Sequence, residues 1–363
     1  MNAAPPIRVN ADARPEVVVV TTVYQAEVYL EATVASVRAQ TFTDWKLILV
    51  NDGSTDDSAA LCDRLAEQDE RIAVIHRDNG GVSAAANTGI AAALGDDPKT
   101  QPFAIARLDA DDRMMPDRLT QQVRCLRDRP DVVCVGTDIA LIDEADRFLT
   151  VEPRPADDAG ITDQLLRGHC SISHPSCLIR SAALRAVWTD RGADAAGPYD
   201  PVMVAGEDVD LFLRLGEKGA LANLSEPLTA YRLHGVSASA THGKAQRENS
   251  RQAVDAAVQR RGLTDPPPFE ADGLWRPTDQ RASRLEFALL YGWWAFQARQ
   301  FATAAHYGRA ALRLSPWNKQ AWMLWAKSRG KSNGPAPTDQ FNKPTNALNA
   351  EAADAEPRKE RAA

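Results

Sequence analysis

The segment ARLDADD, residues 106–112, places three carboxylates, Asp109, Asp111 and Asp112, directly after a run of apolar residues. In an extended chain, side chains two residues apart lie on the same side, so Asp109 and Asp111 can face one ligand together. Carboxylates that close repel each other, and a divalent cation would relieve the repulsion and suit a diphosphate. For an Asp-x-Asp segment alone, a surface loop is the more common explanation.

A second acidic segment, VNDGSTDDS at residues 50–58, follows the apolar run WKLILV. Its residue types are those of a turn between a strand and a helix, and Ser54 or Thr55 is suited to cap a helix that begins near Asp56. Asp52 comes before that cap, at the carboxyl end of a predicted buried strand, where ligands of open α/β sheets bind. Turn formation and ligand binding are both open interpretations of Asp52.

Short apolar runs alternate with helical patterns between residues 17 and 136. The runs VVVVTTVY, WKLILV, IAVIH, FAIARLD and VVCVG predict strands, and helices are predicted to begin near Glu27, Asp56, Val82 and Pro116. This alternation predicts an α/β fold with a mostly parallel sheet that helices cover on both faces. Residues 137–240 show a less regular α+β pattern, with a helix at GEDVDLFLRLGEKG and apolar runs at CLIR and LTAYRL.

Beyond about residue 241 the pattern becomes helical, with a loop predicted at TDPPPFEADG. Gly292, Ala304 and Ala311, followed by Pro316, have the spacing of one tetratricopeptide-like helix pair, which we expect to pack on the preceding domain. The sequence thus predicts four segments: a flexible N-terminus over 1–15, an α/β domain over 16–240, a C-terminal helical region over 241–330 and a disordered tail over 331–363.

Composition narrows the classes of function. The chain of 363 residues has a net charge of −7, which argues against nucleic acid as a partner, because such proteins present a basic face. Five cysteines without a C-x-x-C pair predict a reduced compartment and neither a disulfide framework nor a zinc site. No signal peptide is evident, and no apolar stretch approaches the roughly 20 residues that span a bilayer. We therefore expect a cytoplasmic protein.

Tryptophans concentrate near the end of the helical region, at Trp293, Trp294, Trp317, Trp322 and Trp325. Their helical spacing favours a helical core. Peripheral contact with the inner face of the cell membrane is the second interpretation of the same residues.

Three further segments follow in order along the chain: NGGVSAAANTG at residues 79–89, GEDVDLFLRL at 206–215 and YRLHGVSAS at 231–239. Together with the two acidic segments, they make residues 16–240 resemble the family 2 glycosyltransferases. Members of that family are inverting enzymes of the GT-A fold, a Rossmann-like α/β architecture. The resemblance implies transfer of a sugar from a nucleotide-diphospho-sugar, with UDP the expected nucleotide, to a glycan or lipid-linked glycan acceptor in cell-surface polysaccharide or glycan biosynthesis.

The resemblance implies donor-binding roles at the ends of the first strands. Asp52 matches the carboxylate that hydrogen-bonds the nucleobase, while Thr22 and the nearby Tyr24 lie where the family contacts the nucleoside. Asp109 matches the residue that contacts the donor's ribose or the metal shell.

The sequence departs from the family pattern at Ala86, where many relatives carry an arginine that reaches the donor. Arg107 lies two residues before Asp109 on the same predicted strand and should project to the same side. We expect Arg107 to bind the donor in place of the arginine that is missing at position 86.

A base and a metal site are also implied by the resemblance. Asp208 of the GED segment matches the general base, and Glu207 is expected to position the acceptor; an acidic first helical turn that suits the helix dipole is the alternative for both. Asp111 matches a ligand of Mg or Mn, and His234 matches a histidine that completes the metal shell in some relatives. His174, in SISHPSCLIR, matches a pattern near the acceptor side, and packing is the alternative.

A nucleotide-sugar-binding protein without transfer activity, acting through its helical C-terminal region, is the alternative function. Loss of the base or of the metal-binding aspartate would mark such a protein, yet Asp208, Asp109 and Asp111 are all present. A nicotinamide-dependent oxidoreductase needs G-x-G-x-x-G after the first strand, and TTVYQAEVYL contains no glycine. The sugar and the acceptor are not encoded in these motifs, because specificity lies in variable loops.

Overall fold

The computed structural model describes residues 15–203, 205–234, 243–270 and 280–342. The predicted flexible N-terminus lies almost entirely outside these residues, as does the predicted tail beyond residue 342. The strands of the described part form one sheet, and they are β1 (Val17–Val23), β2 (Trp45–Asp52), β3 (Ile72–Arg77), β4 (Ala104–Arg107), β5 (Arg113–Met114), β6 (Val132–Asp143), β7 (Phe148–Glu152), β8 (Leu178–Arg180) and β9 (Ala220–Leu233).

The sheet has the order β3-β2-β1-β4-β8-β6-β9-β5, and β7 pairs with β6. The half from β3 to β4 is parallel, as the strand–helix alternation predicts. β8 runs antiparallel to both β4 and β6, whereas β6 and β9 are parallel to each other. The complete sheet is therefore mixed rather than mostly parallel, because β8 enters between β4 and β6 in the opposite direction.

Helices cover both faces of the sheet. Successive side chains of β1 show this, because they point to opposite faces of the sheet. Val17 and Val19 lie in one apolar cluster, and Val18 and Val20 lie in another on the opposite face. The helices are α1 (Leu30–Arg38), α2 (Ser58–Gln68), α3 (Val82–Leu94), α4 (Arg118–Asp128), α5 (Asp158–Leu166), α6 (Ser181–Asp190), α7 (Glu207–Leu215), α8 (Gly243–Arg261), α9 (Arg281–Gln297), α10 (Phe301–Leu314) and α11 (Lys319–Ser328). None of the described helices combines the length and apolar character that crossing a bilayer requires.

Three helices begin two or three residues later than predicted, while α3 begins at the predicted residue. The polar residues before α1 and α2 bond to each other instead of starting a helix: Asp56 Oδ2 accepts from Glu27 N at 3.2 Å. The predicted helix cap is also wrong. The hydroxyl groups of Ser54 and Thr55 accept hydrogen bonds from Gln25, at 3.2 and 2.9 Å, which leaves the N-cap position of α2 to Asp57.

The carboxyl ends of β1, β2 and β4 meet at one edge of the sheet. Thr22 pairs with Val50, and Val20 pairs with Arg107. The register therefore brings Asp109, two residues beyond Arg107, level with Thr22, and Asp52 extends two residues beyond Val50. We call this the ligand edge, because ligands of open α/β sheets bind at such ends.

The C-terminal helices α9 and α10 form the helix pair that the sequence predicts, and α11 adds a third helix to the layer. Gly292 permits close packing, since a Cβ there would lie 2.4 Å from Leu324 Cδ2 and 3.0 Å from Tyr307 Cβ. The layer packs on the sheet through a cluster from α9 and the strands, formed by Phe287, Tyr291, Ile139, Leu141, Leu149 and Leu233.

Residues 331–342 are ordered in the structure, although the sequence predicts a disordered tail from residue 331 onward. The segment turns back along α10, where Gly334 N donates to Arg299 O and Asn333 Oδ1 accepts from Ala302 N, both at 2.9 Å. A short 3-10 helix at Pro337–Asn342 places the Phe341 ring 3.7 Å from the Arg113 guanidinium and against a small apolar cluster. The prediction of disorder fails here because composition does not reveal the site that this aromatic side chain fills.

Replacing the Phe341 ring tests whether this segment contributes to stability. Phe341→Ala is expected to lower the free energy of unfolding by about 1–2 kcal/mol, because a partly buried aromatic side chain and its cation–π contact are lost. Denaturant unfolding of the full chain measures the change. A chain ending at Asn342 is the control and should unfold like the full chain; equal stability of Phe341→Ala and the unsubstituted chain would contradict docking of the segment.

Candidate functional site

Asp52, at the end of β2, is 3% exposed, and both of its carboxylate oxygens accept hydrogen bonds. Oδ1 accepts from Gly80 N at 3.1 Å and from the Arg77 guanidinium, and Oδ2 accepts from Gly81 N at 2.8 Å. Gly81 has a φ of 85°, which favours glycine, and a Cβ on Gly80 would lie 2.6 Å from Arg77 Nη2. Asp52 therefore fixes the NGG turn against the ligand edge.

Thr22 and Tyr24 form the rim of the same edge. Thr22 Oγ1 lies 3.4 Å from Arg107 Nη2. Tyr24 is 54% exposed. The next residue, Gln25, has a φ of 52° and is held by its bonds to Ser54 and Thr55. The Tyr24 ring is thus presented to solvent by a turn that is tied to the segment after β2.

The side chain of Arg107 is completely buried beneath this edge. Its Nη1 donates to Val20 O at 2.7 Å, and its Nη2 lies 3.4 Å from Asp109 Oδ1. Ala86, the position of the missing arginine, is buried in the apolar cluster between α3 and the sheet. Arg107 has no exposed surface, and its guanidinium contacts the ligand edge through Thr22 and Asp109.

Asp111 and His234, both predicted as metal ligands, are adjacent: Asp111 Oδ2 lies 2.6 Å from His234 Nε2. The Tyr29 ring stacks at a tilt 5.5 Å from the imidazole. Within the described ranges, no group of three or more His, Cys, Asp and Glu side chains is placed to hold a metal ion. A carboxylate and an imidazole fit a cation that takes its remaining ligands from phosphate oxygens and water.

Asp112 holds the Asp-x-Asp loop in place. Its Oδ1 accepts from Arg232 N at 2.8 Å, while Arg232 Nε donates to Asp111 O at 2.8 Å and Nη2 to Asp146 Oδ1 at 2.7 Å. Burial and the carboxylates of Asp111 and Asp109 raise the pKa of Asp112 well above its usual value. The sequence interpretation missed Arg232, although a cation two residues before the predicted ligand His234 was a usable signal.

Asp208 lies in the first turn of α7, next to Cys170. The Cys170 thiol donates to Asp208 Oδ2 at 2.9 Å, and Val209 N donates to Oδ1 at 2.9 Å. Burial and the Asp208 carboxylate raise the pKa of Cys170 well above its usual value, so that the thiol keeps its proton. No motif in the sequence points to Cys170; only the fold brings it to Asp208.

Asp109, Glu207 and Asp208 affect each other's protonation. Burial, Asp111 and Asp208 raise the pKa of Asp109 to about 6, against the opposing charge of Arg107. Burial and Asp208 raise the pKa of Glu207 to about 8. Burial also raises the pKa of Asp208, although the hydrogen bond from Cys170 lowers it. We call these three residues the carboxylate cluster; they come from distant parts of the sequence to one place.

His174 lies in the core. It is 8% exposed, its Nε2 is 2.6 Å from Tyr199 Oη, and its ring packs edge-on against Tyr199 and Phe212. Burial lowers the pKa of His174 well below its usual value, so the ring is neutral. Asn87 binds the backbone of Tyr199 through two hydrogen bonds of 2.9 Å. These contacts support packing, and the acceptor-side role predicted for His174 finds no support in them.

Two buried polar residues of α4 support the site from below and were missed in the sequence. Arg118 donates to Pro175 O at 2.6 Å and to Arg107 O at 2.9 Å. Gln122 Nε2 donates to Val135 O and Ser176 O, both at 2.8 Å. Their spacing of four residues puts them on one helix face among apolar neighbours, which was the available signal for buried polar roles.

Comparison with known proteins agrees with this architecture. The family described as Glycosyl transferase family 2 matches residues 18–188. An uncharacterized glycosyltransferase of Nostoc sp. (strain PCC 7120) is 31% identical over 234 residues, which cover 62% of this chain and 67% of the relative. The chain belongs to the family 2 glycosyltransferases.

Other comparisons with this family 2 glycosyltransferase cover a shorter stretch or show the fold alone. The uncharacterized glycosyltransferase EpsJ of Bacillus subtilis is 38% identical over 125 residues, 34% of either chain. This chain spans about a third of the length of the first curated relatives that it matches. The solved structure of S. aureus TarS 1–349 in complex with UDP-GlcNAc has a TM-score of 0.51 at 14% identity and covers 86% of this chain and 79% of that one. This likeness confirms the predicted GT-A fold.

The raised pKa of Glu207 predicts a pH-dependent effect of Glu207→Gln on stability. With a pKa of about 8 instead of 4.5, Glu207 contributes stability that is complete below its unfolded pKa and is lost as the pH rises through its folded pKa. The amide stays neutral, so the variant should gain stability over the unsubstituted chain near pH 9 but not near pH 5. Melting temperatures across this range measure the difference. The exposed Glu67→Gln is the matched control, and a difference that does not change with pH would contradict the raised pKa.

Proposed function

We propose that this family 2 glycosyltransferase moves a sugar, with inversion, from a nucleotide-diphospho-sugar to an acceptor hydroxyl. The observation that carries the proposal is the carboxylate cluster, which joins Asp109 at the ligand edge to Asp208 on α7. Such a transfer needs a base opposite a leaving group whose negative charge is neutralised. The proposed donor is a UDP-sugar, and the proposed acceptor is a glycan or lipid-linked glycan of cell-surface polysaccharide or glycan biosynthesis.

The nucleobase is placed against Asp52 and Arg77. A carboxylate offers about four acceptor positions, and those of Asp52 already receive bonds from Gly80, Gly81 and Arg77. One position therefore remains for an N–H group of the base. The Arg77 side chain is 25% exposed, so it can donate to a carbonyl oxygen of the same ring. Thr22 and Tyr24 at the rim complete the proposed nucleoside site.

Arg107 acts as a positioning residue for the donor. Its guanidinium holds Thr22 Oγ1 and Asp109 Oδ1 from beneath, each at 3.4 Å. The cation favours the ionised form of Asp109, which is then the better acceptor for a ribose hydroxyl. This arrangement replaces the direct donor contact that the sequence predicts with an indirect one.

Asp208 is the proposed base. As the acceptor oxygen attacks the anomeric carbon, the bond from that carbon to the diphosphate oxygen breaks and the acceptor's proton passes to the Asp208 carboxylate. The raised pKa of Asp208 supports this role, because it makes the carboxylate a stronger base. Glu207, with a pKa of about 8, is protonated at neutral pH and can donate a hydrogen bond to the acceptor.

Asp111 and His234 would hold a divalent cation, Mg or Mn. When bound, the cation neutralises the negative charge that accumulates on the departing diphosphate. Arg232 and Asp112 fix the backbone that carries Asp111, so the position of Asp111 does not depend on a bound cation.

A reducing compartment, the cytoplasm, is the proposed location. All five cysteines are free, and Cys170 must keep its thiol proton in order to donate to Asp208. Oxidation would remove that donor.

Asp208→Asn tests the function and its alternative together. The amide keeps the shape but not the basicity, so turnover should fall by about 10²-fold or more while donor affinity stays within about threefold. Turnover and calorimetric binding are measured over a panel of nucleotide sugars, with and without Mn²⁺. The exposed Asp128→Asn is the matched control. Unchanged turnover in Asp208→Asn would exclude this base, whereas donor binding without turnover in the unsubstituted chain would favour the alternative, a nucleotide-sugar-binding protein that acts through its helical C-terminal region.

Arg107→Met tests the positioning role, since it keeps volume and removes charge. Donor affinity should fall by about 10- to 100-fold, which corresponds to a lost charge-assisted interaction of about 1.5–3 kcal/mol. Arg107→Lys, which restores the charge, should recover part of this loss. Arg180→Met is the control, because Arg180 also donates to backbone carbonyls, those of Val132 and Leu126, away from the ligand edge. A lowered melting temperature with unchanged donor affinity in Arg107→Met would make Arg107 purely structural.

A further inference from the structure

The outer side of α11 and the turn before it expose large apolar side chains. Trp317 is 93% exposed, Trp322 49% and Met323 43%. The opposite side of α11 is packed on the helical layer, where Ala321 and Leu324 are buried against α9 and α10. We call Trp317, Lys319, Trp322, Met323 and Lys327 the α11 face.

The residues of the α11 face are contiguous. Trp322 Nε1 donates to Pro316 O at 2.8 Å, which holds its ring beside the turn that carries Trp317. Lys319 lies three and four residues before Trp322 and Met323, and Lys327 lies four residues after Met323, so all four share one side of the helix. Two indole rings and a thioether are therefore flanked by a lysine at each end.

The stretch of chain that contains the α11 face carries charge of one sign. Between Glu286 and Asp339 the chain has seven lysine and arginine residues and no aspartate or glutamate, although the whole chain has a net charge of −7. This stretch is therefore net positive, whereas the rest of the chain is net negative. An asymmetry of this kind orients a molecule toward a negatively charged surface.

From these features we infer that the α11 face docks on the surface of an anionic lipid bilayer. Tryptophan rings sit at the level of the lipid headgroups, an unbranched side chain such as Met323 enters the acyl boundary, and lysines contact anionic headgroups. The contact is peripheral, because the described helices include no candidate membrane span. The inference does not depend on the proposed reaction, and its test uses no measurement of activity.

A second copy of the chain is the less favourable occupant of the α11 face. In a symmetric dimer through this face, the lysines of both copies would meet each other, and like charges repel. A single-stranded nucleic acid would match the charge and the rings, but the exposed alkyl thioether of Met323 offers it no partner. The bilayer alone accounts for the apolar and the cationic residues together.

Sedimentation of the full chain with vesicles tests the inference. Vesicles of phosphatidylcholine alone are compared with vesicles that also contain about one third phosphatidylglycerol, and binding is expected only to the second, decreasing as salt is added. Lys319→Glu with Lys327→Glu should weaken the binding at least about tenfold, since each lysine near the surface contributes about fivefold. The matched control is Lys99→Glu with Arg124→Glu, which changes the net charge equally at exposed sites outside the α11 face and should bind like the unsubstituted chain.

Trp317→Ala separates the apolar contribution from the charge. Its side chain is almost fully exposed, so the melting temperature should not change, while vesicle binding and the blue shift of tryptophan emission on anionic vesicles should both decrease. Absence of binding to anionic vesicles, or binding that neither α11-face variant weakens, would overturn the inference. It would also be overturned if sedimentation velocity without lipid detected a dimer, or a complex with oligonucleotide, that Trp317→Ala abolishes.

Discussion

The burial of carboxylates at the ligand edge is the constraint on which the rest of the structure depends. Asp52, Asp109 and Asp112 each lie at the end of a strand or in the loop after it, where solvent is partly excluded and like charges interact strongly. Each is held by a specific cation or backbone donor: Arg77 for Asp52, Arg107 for Asp109 and the backbone N–H of Arg232 for Asp112. A buried arginine that lost its carboxylate would be as costly as the reverse. Each of the three carboxylates therefore depends on its own partner.

The parts of the fold that depend on local sequence could be predicted. Apolar runs with strand spacing identified β1 to β4, and the helical pattern correctly placed the start of α3 at Val82. The resemblance assigned Asp111 and His234 to one metal site, which stays a prediction, and the structure places the two side chains next to each other although 123 residues separate them. That assignment came from the order of the motifs along the chain, because hydrophobic periodicity does not show which distant residues meet.

The parts that depend on long-range packing could not be predicted. The sequence places Arg118 and Gln122 on one helix face among apolar neighbours, but the backbone carbonyls of Arg107, Val135 and Ser176 that they bind are brought to α4 only by the fold. Cys170 has no motif, and its contact with Asp208 arises from the way α5 meets α7. For His174 the sequence left packing and an acceptor-side role both open, and in the structure Tyr199 and Phe212 enclose its ring. In each case the deciding quantity is burial, which a single sequence does not contain.

The parallel pairing of β6 with β9 has a consequence for the order of folding. The half of the sheet from β3 to β4 uses short crossovers and can form while the chain is still being made, since domains tend to fold from the N-terminus during synthesis. The hydrogen bond from Arg232 to Asp112 can form only after Arg232, 120 residues further along, has been synthesised. Closing so long a loop is slow. The half of the ligand edge that contains Asp52 is thus expected to form first, and the corner that contains Asp111 and His234 forms only after translation has passed β9.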